Sequence, residues 1–250
     1  MEKLLDILRK RFYEIKVLEQ FGIDSDDDSS GEATDLIFDW VQENFPEINI
    51  RESVFHGVSK LVLDLFPKEN FVIKIPFNGC YWGRWDEELE EYDSFYYWHE
   101  FEYAPAPVTQ IEYSWDYCNT EVEKFLDIVE NGLECFFAET KMLCFSKNSY
   151  PIYIQEKVLP VRECSSSNSR TPSKDSLNKA KEIKDERDCY IDNVEWLATA
   201  LEFYGEELTR KLLQYFRDDD IVGQDMHGGN YGYRVSDGSP CILDYASWND

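Results

Sequence analysis

A group of polar residues near the C-terminal end of the sequence has the types and spacing for metal binding and proton transfer. Asp225, His227 and Asn230 form the pattern D-x-H-x-x-N, and Asp244 follows two short apolar runs. An amide oxygen and a carboxylate suit Mg²⁺, which takes few protein ligands and shares its other positions with phosphates. Asn230 and Asp244 are therefore the predicted metal ligands, and Asp225 is the predicted proton acceptor.

The apolar runs between Asn230 and Asp244 predict the element that positions these two side chains. Residues 231–235 and 241–243 are joined by a segment that contains Asp-Gly. Asp-Gly between alternating segments is a strong hairpin signal. A hairpin with Asn at its entrance and Asp at its exit brings both residues to the same end of the ladder. The alternative is an ordinary hairpin after an Asp- and Asn-rich turn.

A lysine within an apolar strand is a further candidate for chemistry. Residues 53–77 predict two strands, a four-residue turn and a third strand, in which Lys74 lies within Val-Ile-Lys-Ile. Such a lysine is either an outward-facing residue or a buried cation that needs an anionic partner. In a strand, Val72 and Lys74 share one face.

These residues, in this order, resemble the protein kinase-like superfamily. The pattern D-x-H-x-x-N is typical of its aminoglycoside phosphotransferase and choline kinase branch, whereas protein kinases have Lys in place of His227. The sequence departs from relatives at Gly223, where many have His, and at residues 244–246, where Asp-Tyr-Ala replaces Asp-Phe-Gly. The resemblance covers residues 51–250.

The resemblance implies an α+β fold with two lobes and an N-terminal helical extension. The extension comprises residues 1–50, the β-rich small lobe 51–158 with an insertion at 78–117, and the minimal helical large lobe 159–250. Mg²⁺ and ATP would bind between the lobes. The implied activity is transfer of the γ-phosphate to a hydroxyl of a protein or small molecule, with Asp225 orienting or deprotonating that hydroxyl.

The resemblance assigns several small-lobe residues to ATP. Lys74 would contact the α- and β-phosphates. Gly57 takes the second position of a glycine-rich loop, and Val62 is the residue that would cover the adenine. Phe55 and Lys60 stand where relatives have glycine, so the loop motif is incomplete.

Two further assignments follow from the same resemblance. A glutamate on the helix after the insertion would pair with the strand lysine, and Glu121 is preferred over Glu123 because Phe125 matches the apolar residue that backs the pair. Residues 150–159 predict a strand that leads into the hinge. The residues that would offer backbone groups to adenine there are Gln155, Glu156 and Lys157.

The other segments predict mainly helices. Residues 2–20 and 33–45 have apolar spacing typical of helices that pack on a core, with peptide binding as the alternative. Residues 119–143 predict one or two helices, broken at Asn131-Gly132, whose inward stripe is Val122, Phe125, Leu126 and Val129. Residues 24–30 and 162–187 are polar and predict loops, the second of them mobile. Residues 191–204 and 206–216 predict the two helices of the large-lobe base.

Composition excludes several classes of partner. The chain has 25 Lys and Arg against 51 Asp and Glu, a formal charge of −26. Nucleic acids and anionic membranes require clustered basic residues, so neither is an expected partner. The charged N-terminus is unlike a signal peptide. The 7 cysteines lack a C-x-x-C pair and favour reduced thiols in the cytoplasm.

The acceptor is the least defined part of the prediction. Few residues follow Asp244, so we expect the acceptor to be recognised by the insertion, by the Ser-rich segment or by another chain. The insertion is rich in Trp and Tyr, which suits either a protein partner or an enlarged core. Its His99 has no second ligand at metal spacing. The alternative to an enzyme is a nucleotide-binding pseudokinase or an acidic protein-binding scaffold.

Overall fold

The computed structural model describes residues 2–15, 29–49, 53–56, 60–76, 80–86, 91–97, 110–113, 115–147, 151–161, 171–187, 191, 193–218 and 228–245. Within these residues the helices are α1 (Glu2–Tyr13), α2 (Ser29–Asn44), α3 (Trp115–Glu130), α4 (Lys174–Arg187), α5 (Val194–Tyr204) and α6 (Glu206–Asp218). The strands are β1 (Val54–His56), β2 (Lys60–Leu63), β3 (Phe71–Pro76), β4 (Cys80–Asp86), β5 (Glu91–Tyr97), β6 (Gln110–Tyr113), β7 (Thr140–Phe145), β8 (Pro151–Glu156), β9 (Val158–Pro160), β10 (Tyr231–Arg234) and β11 (Pro240–Ile242).

The chain has an α+β fold and divides into two compact units. Unit 1 comprises Met1–Asn119 and Lys141–Gln155, and unit 2 comprises Thr120–Thr140 and Glu156–Asp250. The predicted lobes divide at residue 158, whereas the units divide at Gln155 and also assign residues 120–140 to unit 2.

Unit 1 is built on a five-stranded sheet with strand order β1-β2-β3-β8-β7. β1 pairs with β2 and β2 with β3 in antiparallel register, which confirms the strands predicted for residues 53–77. α1 and α2 bury apolar side chains in the same core as the sheet, and this confirms that they are packing helices. The helical members of this core are Leu8, Phe12, Ile37, Trp40 and Val41. α2 begins at Ser29, so the polar segment predicted as a loop through residue 30 ends earlier.

The aromatic insertion contains a sheet of its own. β4 lies between β5 and β6, and both pairings are antiparallel. In this register Trp82 of β4 lies opposite Phe95 of β5 and Ile111 of β6.

Unit 2 combines helices with a three-stranded sheet of order β11-β10-β9. β10 and β11 form the predicted hairpin, and Gly238 in its turn has a φ of 74°, a conformation that favours glycine. The helices predicted for residues 191–204 and 206–216 are confirmed as α5 and α6. Asn193 caps α5 by accepting a hydrogen bond from the Trp196 N–H, 2.9 Å away.

The inward face predicted for residues 119–143 is wrong in part, since Phe125 packs against the core of unit 2 but Leu126 and Val129 do not. Leu126 and Val129 are 64% and 46% exposed, whereas Glu121 and Ile128 are buried. The buried face of this helix differs from the predicted face because it includes a charged residue, Glu121. Helix also ends at Glu130, and residues 140–143 belong to strand β7 rather than to a helix.

The loop predicted for residues 162–187 is also corrected, because residues 174–187 form α4. Ala180 and Ile183 are buried in the core of unit 2, and Leu177 packs against it. The hydroxyl of Ser173 accepts a hydrogen bond from the Ser176 N–H at 3.1 Å, which caps the start of the helix. Packing of this apolar stripe stabilises a helix whose overall composition is polar.

Two features of the described residues concern membrane-spanning helices and cysteines. In the described residues no helix has the length and apolar character to span a membrane. Among the described residues, Cys135, Cys144 and Cys241 are free cysteines. Burial raises the pKa of the Cys144 thiol to about 11, although the positive charge of Arg9 lowers this pKa in part.

Candidate functional site

The predicted site residues fall in different parts of the structure. Gly57, Asp225 and His227 lie outside the described residues. Of the described site residues, Lys74, Val62 and Gln155 belong to unit 1. The site residues in unit 2 are Glu121, Glu156, Lys157, Asn230 and Asp244.

Lys74 and Val62 are neighbours on one face of the five-stranded sheet. Lys74 on β3 lies directly opposite Val62 on β2. Opposite residues in an antiparallel pair place their side chains on the same face. Lys74 is only 1% exposed, while Ile73 and Ile75 are buried on the other face. Lys74 is therefore the buried cation of the two possibilities, beside the residue predicted to cover the adenine.

Glu121 is buried, and its alternative is not. The Glu121 side chain is 0% exposed and accepts a hydrogen bond from the Thr140 hydroxyl, with 2.7 Å between Oγ1 and Oε2. Glu123 is exposed. A fully buried carboxylate requires hydrogen bonds or a positive charge, whereas an exposed one is solvated. Glu121 is therefore the buried one of the two candidates, and its pairing with Lys74 stays a prediction.

Tyr245, which follows the predicted metal ligand Asp244, anchors the end of the hairpin in the core of unit 2. Its hydroxyl donates to the Ala138 carbonyl at 2.8 Å, and its ring packs edge-on against Phe137 with 5.3 Å between centroids. Burial, together with the nearby Glu121 carboxylate, raises the pKa of Tyr245 well above its usual value, although a hydrogen bond with Thr140 opposes the shift. Glu121, Thr140 and Tyr245 therefore form one buried polar group.

Asn230 and Asp244 lie together at one end of the β10–β11 hairpin. The Asn230 carbonyl accepts a hydrogen bond from the Leu243 N–H at 2.9 Å and a longer one from the Asp244 N–H at 3.4 Å. Both side chains are partly exposed. Among the described residues, no cluster of three or more His, Cys, Asp or Glu could hold a metal ion. A Mg²⁺ site at this position would use one carboxylate, one amide and oxygen atoms from a ligand.

The hinge segment is tied to the same hairpin. The Lys157 carbonyl accepts a hydrogen bond from the Val235 N–H at 3.2 Å, and the Glu156 N–H donates to the Glu139 carbonyl at 3.4 Å. These two backbone groups therefore make contacts within unit 2. The Gln155 side chain is buried.

Arg234 at the end of β10 is the residue that sequence reasoning missed. Its guanidinium forms an ion pair with Glu156, with 2.8 Å between Nε and Oε2. Nη1 donates to the Cys135 carbonyl at 2.7 Å and Nη2 to the Phe137 carbonyl at 2.9 Å. The available signal was an arginine within the otherwise uncharged strand Tyr-Gly-Tyr-Arg-Val.

Comparisons with known proteins find no match to a family model, to a curated protein or to a solved structure. The function of the chain must therefore be argued from its own residues.

Proposed function

We propose that the chain is an ATP-dependent phosphotransferase of the kinase-like superfamily. In this proposal the α+β fold is the two-lobed kinase-like fold, and the acceptor is a hydroxyl of a protein or small molecule. Lys74 contacts the α- and β-phosphates, Asn230 and Asp244 hold Mg²⁺, and Asp225 orients or deprotonates the acceptor. The hinge backbone and Val62 contact the adenine.

The observation that carries the proposal is the burial of Lys74 and Glu121. They are 1% and 0% exposed, and each lies on the element that the resemblance assigns to it. Removal of a charged group from water costs on the order of several kcal/mol, so Lys and Glu are almost never fully buried without a partner. Buried ionisable residues are concentrated at active sites, although structural ion pairs also contain them. The pairing of Lys74 with Glu121 stays a prediction of the resemblance.

The residues at the end of the hairpin fit Mg²⁺ and a nucleotide. Asp244 supplies a carboxylate and Asn230 an amide oxygen, the hard ligands that this ion prefers. When bound, Mg²⁺ neutralises phosphate charge and ATP supplies the phosphoryl group. Because the net charge of −26 repels free ATP, a nucleotide site on this chain must be locally basic or metal-loaded.

Thermal unfolding with and without ligand tests the binding part of the proposal. We expect Mg²⁺ with ATP to raise the Tm of the wild type, and Asp244→Ala to lose most of this increment because a metal ligand is removed. Asp237→Ala is the matched control, since Asp237 lies in the hairpin turn and accepts a hydrogen bond from the Ser239 N–H. An increment that survives in Asp244→Ala removes Asp244 from the site, and no increment in the wild type contradicts nucleotide binding.

Transfer of a labelled γ-phosphate separates the enzyme from a pseudokinase. Asp225→Asn should keep its affinity for Mg²⁺-ATP, because other residues hold the metal. Transfer should nevertheless fall about 10²–10⁴-fold, since an amide cannot accept the hydroxyl proton. Binding by the wild type without any transfer identifies a nucleotide-binding protein instead.

A further inference from the structure

The three-stranded sheet of unit 2 connects the predicted adenine-binding backbone with the predicted metal ligands. Glu156 and Lys157 directly precede β9, which pairs with β10 so that Val158 lies opposite Arg234. Asn230 directly precedes β10 at its other end. The four residue-to-residue steps from Asn230 to Arg234 correspond to roughly 13 Å of extended chain, a length comparable to that of a nucleoside triphosphate from base to terminal phosphate.

Arg234 fixes the hinge end of this sheet. Its guanidinium contacts Glu156 and the carbonyls of Cys135 and Phe137, as described above. In addition, Nη1 donates to the Tyr204 hydroxyl at 3.1 Å and to the Ser239 hydroxyl at 3.2 Å. The side chain is 11% exposed. A guanidinium has five N–H donors in a rigid plane, so one side chain can hold several acceptors in a fixed arrangement.

Glu156 is the acceptor through which Arg234 reaches the hinge. The Glu156 side chain is 32% exposed, and its carboxylate is bound by Nε of Arg234. The next residue, Lys157, is held by the Val235 N–H. The segment that would contact adenine is therefore attached to β10 by a side chain and by its backbone.

We propose that Arg234 is a positioning residue that sets the distance between the adenine-binding hinge and the Asn230–Asp244 metal site. This inference rests on the proposed function, and it adds to it a residue that touches neither ligand. One rigid side chain at the end of β10 determines whether base and metal can be bound at the same time.

The proposal separates two kinds of ligand. Of the two ends of β10, adenosine contacts only the hinge end, so its affinity does not depend on the distance to the metal site. ATP with Mg²⁺ contacts both ends of β10, so its affinity depends on the distance as well. Small displacements matter, because a misplacement of about 1 Å can cost on the order of 10² in rate.

The test is calorimetric titration of adenosine and of ATP with Mg²⁺, at a temperature where circular dichroism shows each variant to be folded. Arg234→Lys keeps the charge but not the planar group. We expect its Kd for adenosine to stay within about twofold of the wild type and its Kd for Mg²⁺-ATP to rise about tenfold or more. Arg234→Met should show at least the same loss, and Glu156→Gln, which keeps an acceptor oxygen, a smaller one.

Arg210→Met is the matched control, because Arg210 also forms a 2.8 Å ion pair, with Glu206 on α6. It should bind both ligands like the wild type. Wild-type affinity for Mg²⁺-ATP in Arg234→Lys overturns the inference, and so does an equal loss for adenosine and Mg²⁺-ATP. A wild type that binds neither ligand overturns the proposed function together with it. If Arg234→Met does not fold, Arg234→Lys and Glu156→Gln decide.

Discussion

At the residue scale, the buried polar group of Glu121, Thr140 and Tyr245 determines how α3 is held in unit 2. The Thr140 hydroxyl donates to the Glu121 carboxylate, and the Tyr245 hydroxyl donates to the Ala138 carbonyl two residues before Thr140. In a low-dielectric interior each hydrogen bond is stronger than in water, and an unsatisfied polar atom is correspondingly costly. The orientation of Glu121 therefore depends on residues at the start of β7.

We expect Thr140→Val to destabilise unit 2 by about 1–3 kcal/mol, because the nearly isosteric side chain removes a hydrogen bond to a buried carboxylate. The measurement is hydrogen exchange of peptides from residues 120–140, together with urea unfolding. Thr199→Val is the matched control: Thr199 is also fully buried, but its hydroxyl donates to the Glu195 carbonyl of its own helix at 2.8 Å. Thr199→Val should reduce the free energy of unfolding less than Thr140→Val, since a hydroxyl bonded to a carbonyl of its own helix contributes little to helix stability. Equal losses in the two variants would mean that Thr140 does not support Glu121.

At the element scale, β10 approaches β9 so closely that only glycine fits at position 232. A Cβ on Gly232 would lie 1.9 Å from the Leu159 carbonyl oxygen and 2.8 Å from Pro160 Cα. Both contacts are with backbone, which cannot rotate away as a side chain can. The Gly232 carbonyl also accepts a hydrogen bond from Trp196 Nε1 at 2.7 Å, so β10 is held from α5 as well.

Gly232→Ala should therefore cost more than ~3 kcal/mol, or prevent folding of unit 2, because the strands must separate. Gly238→Ala provides the comparison. Its φ of 74° makes alanine unfavourable, but no atom lies within 4 Å of the added Cβ. That variant should lose only about 1–2 kcal/mol. The yield of soluble protein and the urea midpoint distinguish them, and similar values for the two would contradict the close packing of β9 and β10.

The elements that sequence reasoning predicted correctly are those with a clear period. The strands of residues 53–77, the hairpin before Asp244, and α5 and α6 follow directly from apolar spacing and turn residues. The face of α3 was mispredicted because a buried Glu121 counts as polar in any periodic pattern. α4 was missed because Leu177, Ala180 and Ile183 are diluted by charged neighbours, although Ser173 offered a capping signal.

The candidate site could be predicted only where the residue types and their spacing in the sequence indicate the chemistry. Lys74, Asn230 and Asp244 could be selected from motif spacing, and the hairpin could be expected to unite the last two. The contacts of Arg234 and Thr140 could not be predicted, because their partners lie far away in the sequence. Glu156 precedes Arg234 by 78 positions, and Glu121 precedes Thr140 by 19.

At the scale of the whole molecule, acidic charge dominates. With 51 acidic and 25 basic residues, self-repulsion opposes the compact state wherever charges are not paired. Some surface pairs offset it locally, such as Glu206 with Arg210 and Lys179. These pairs stabilise the charged form of Glu206, because its hydrogen bond with Arg210 and the nearby Lys179 lower the pKa of its carboxyl group.

We expect added salt to stabilise the protein. The Debye length falls from about 30 Å at 0.01 M to about 8 Å at 0.15 M ionic strength, so repulsion between distant carboxylates is largely screened. The Tm should therefore rise across this range by several degrees and then level off. Chloride and sulfate at equal ionic strength serve as the control, because exclusion of sulfate acts separately from screening. A Tm that falls with salt would mean that attractive pairs dominate.

The division into two discontinuous units also has a consequence for biosynthesis. Because residues 120–140 belong to unit 2 while 141–155 belong to unit 1, neither unit is a contiguous stretch of nascent chain. The Ala138 N–H donates to the Ile242 carbonyl, and the Ala138 carbonyl accepts a hydrogen bond from the Tyr245 hydroxyl, so Ala138 acquires these partners only after more than a hundred further residues have been translated. During that interval Glu121 lacks its final environment, because Tyr245 of the same buried polar group has not yet been translated.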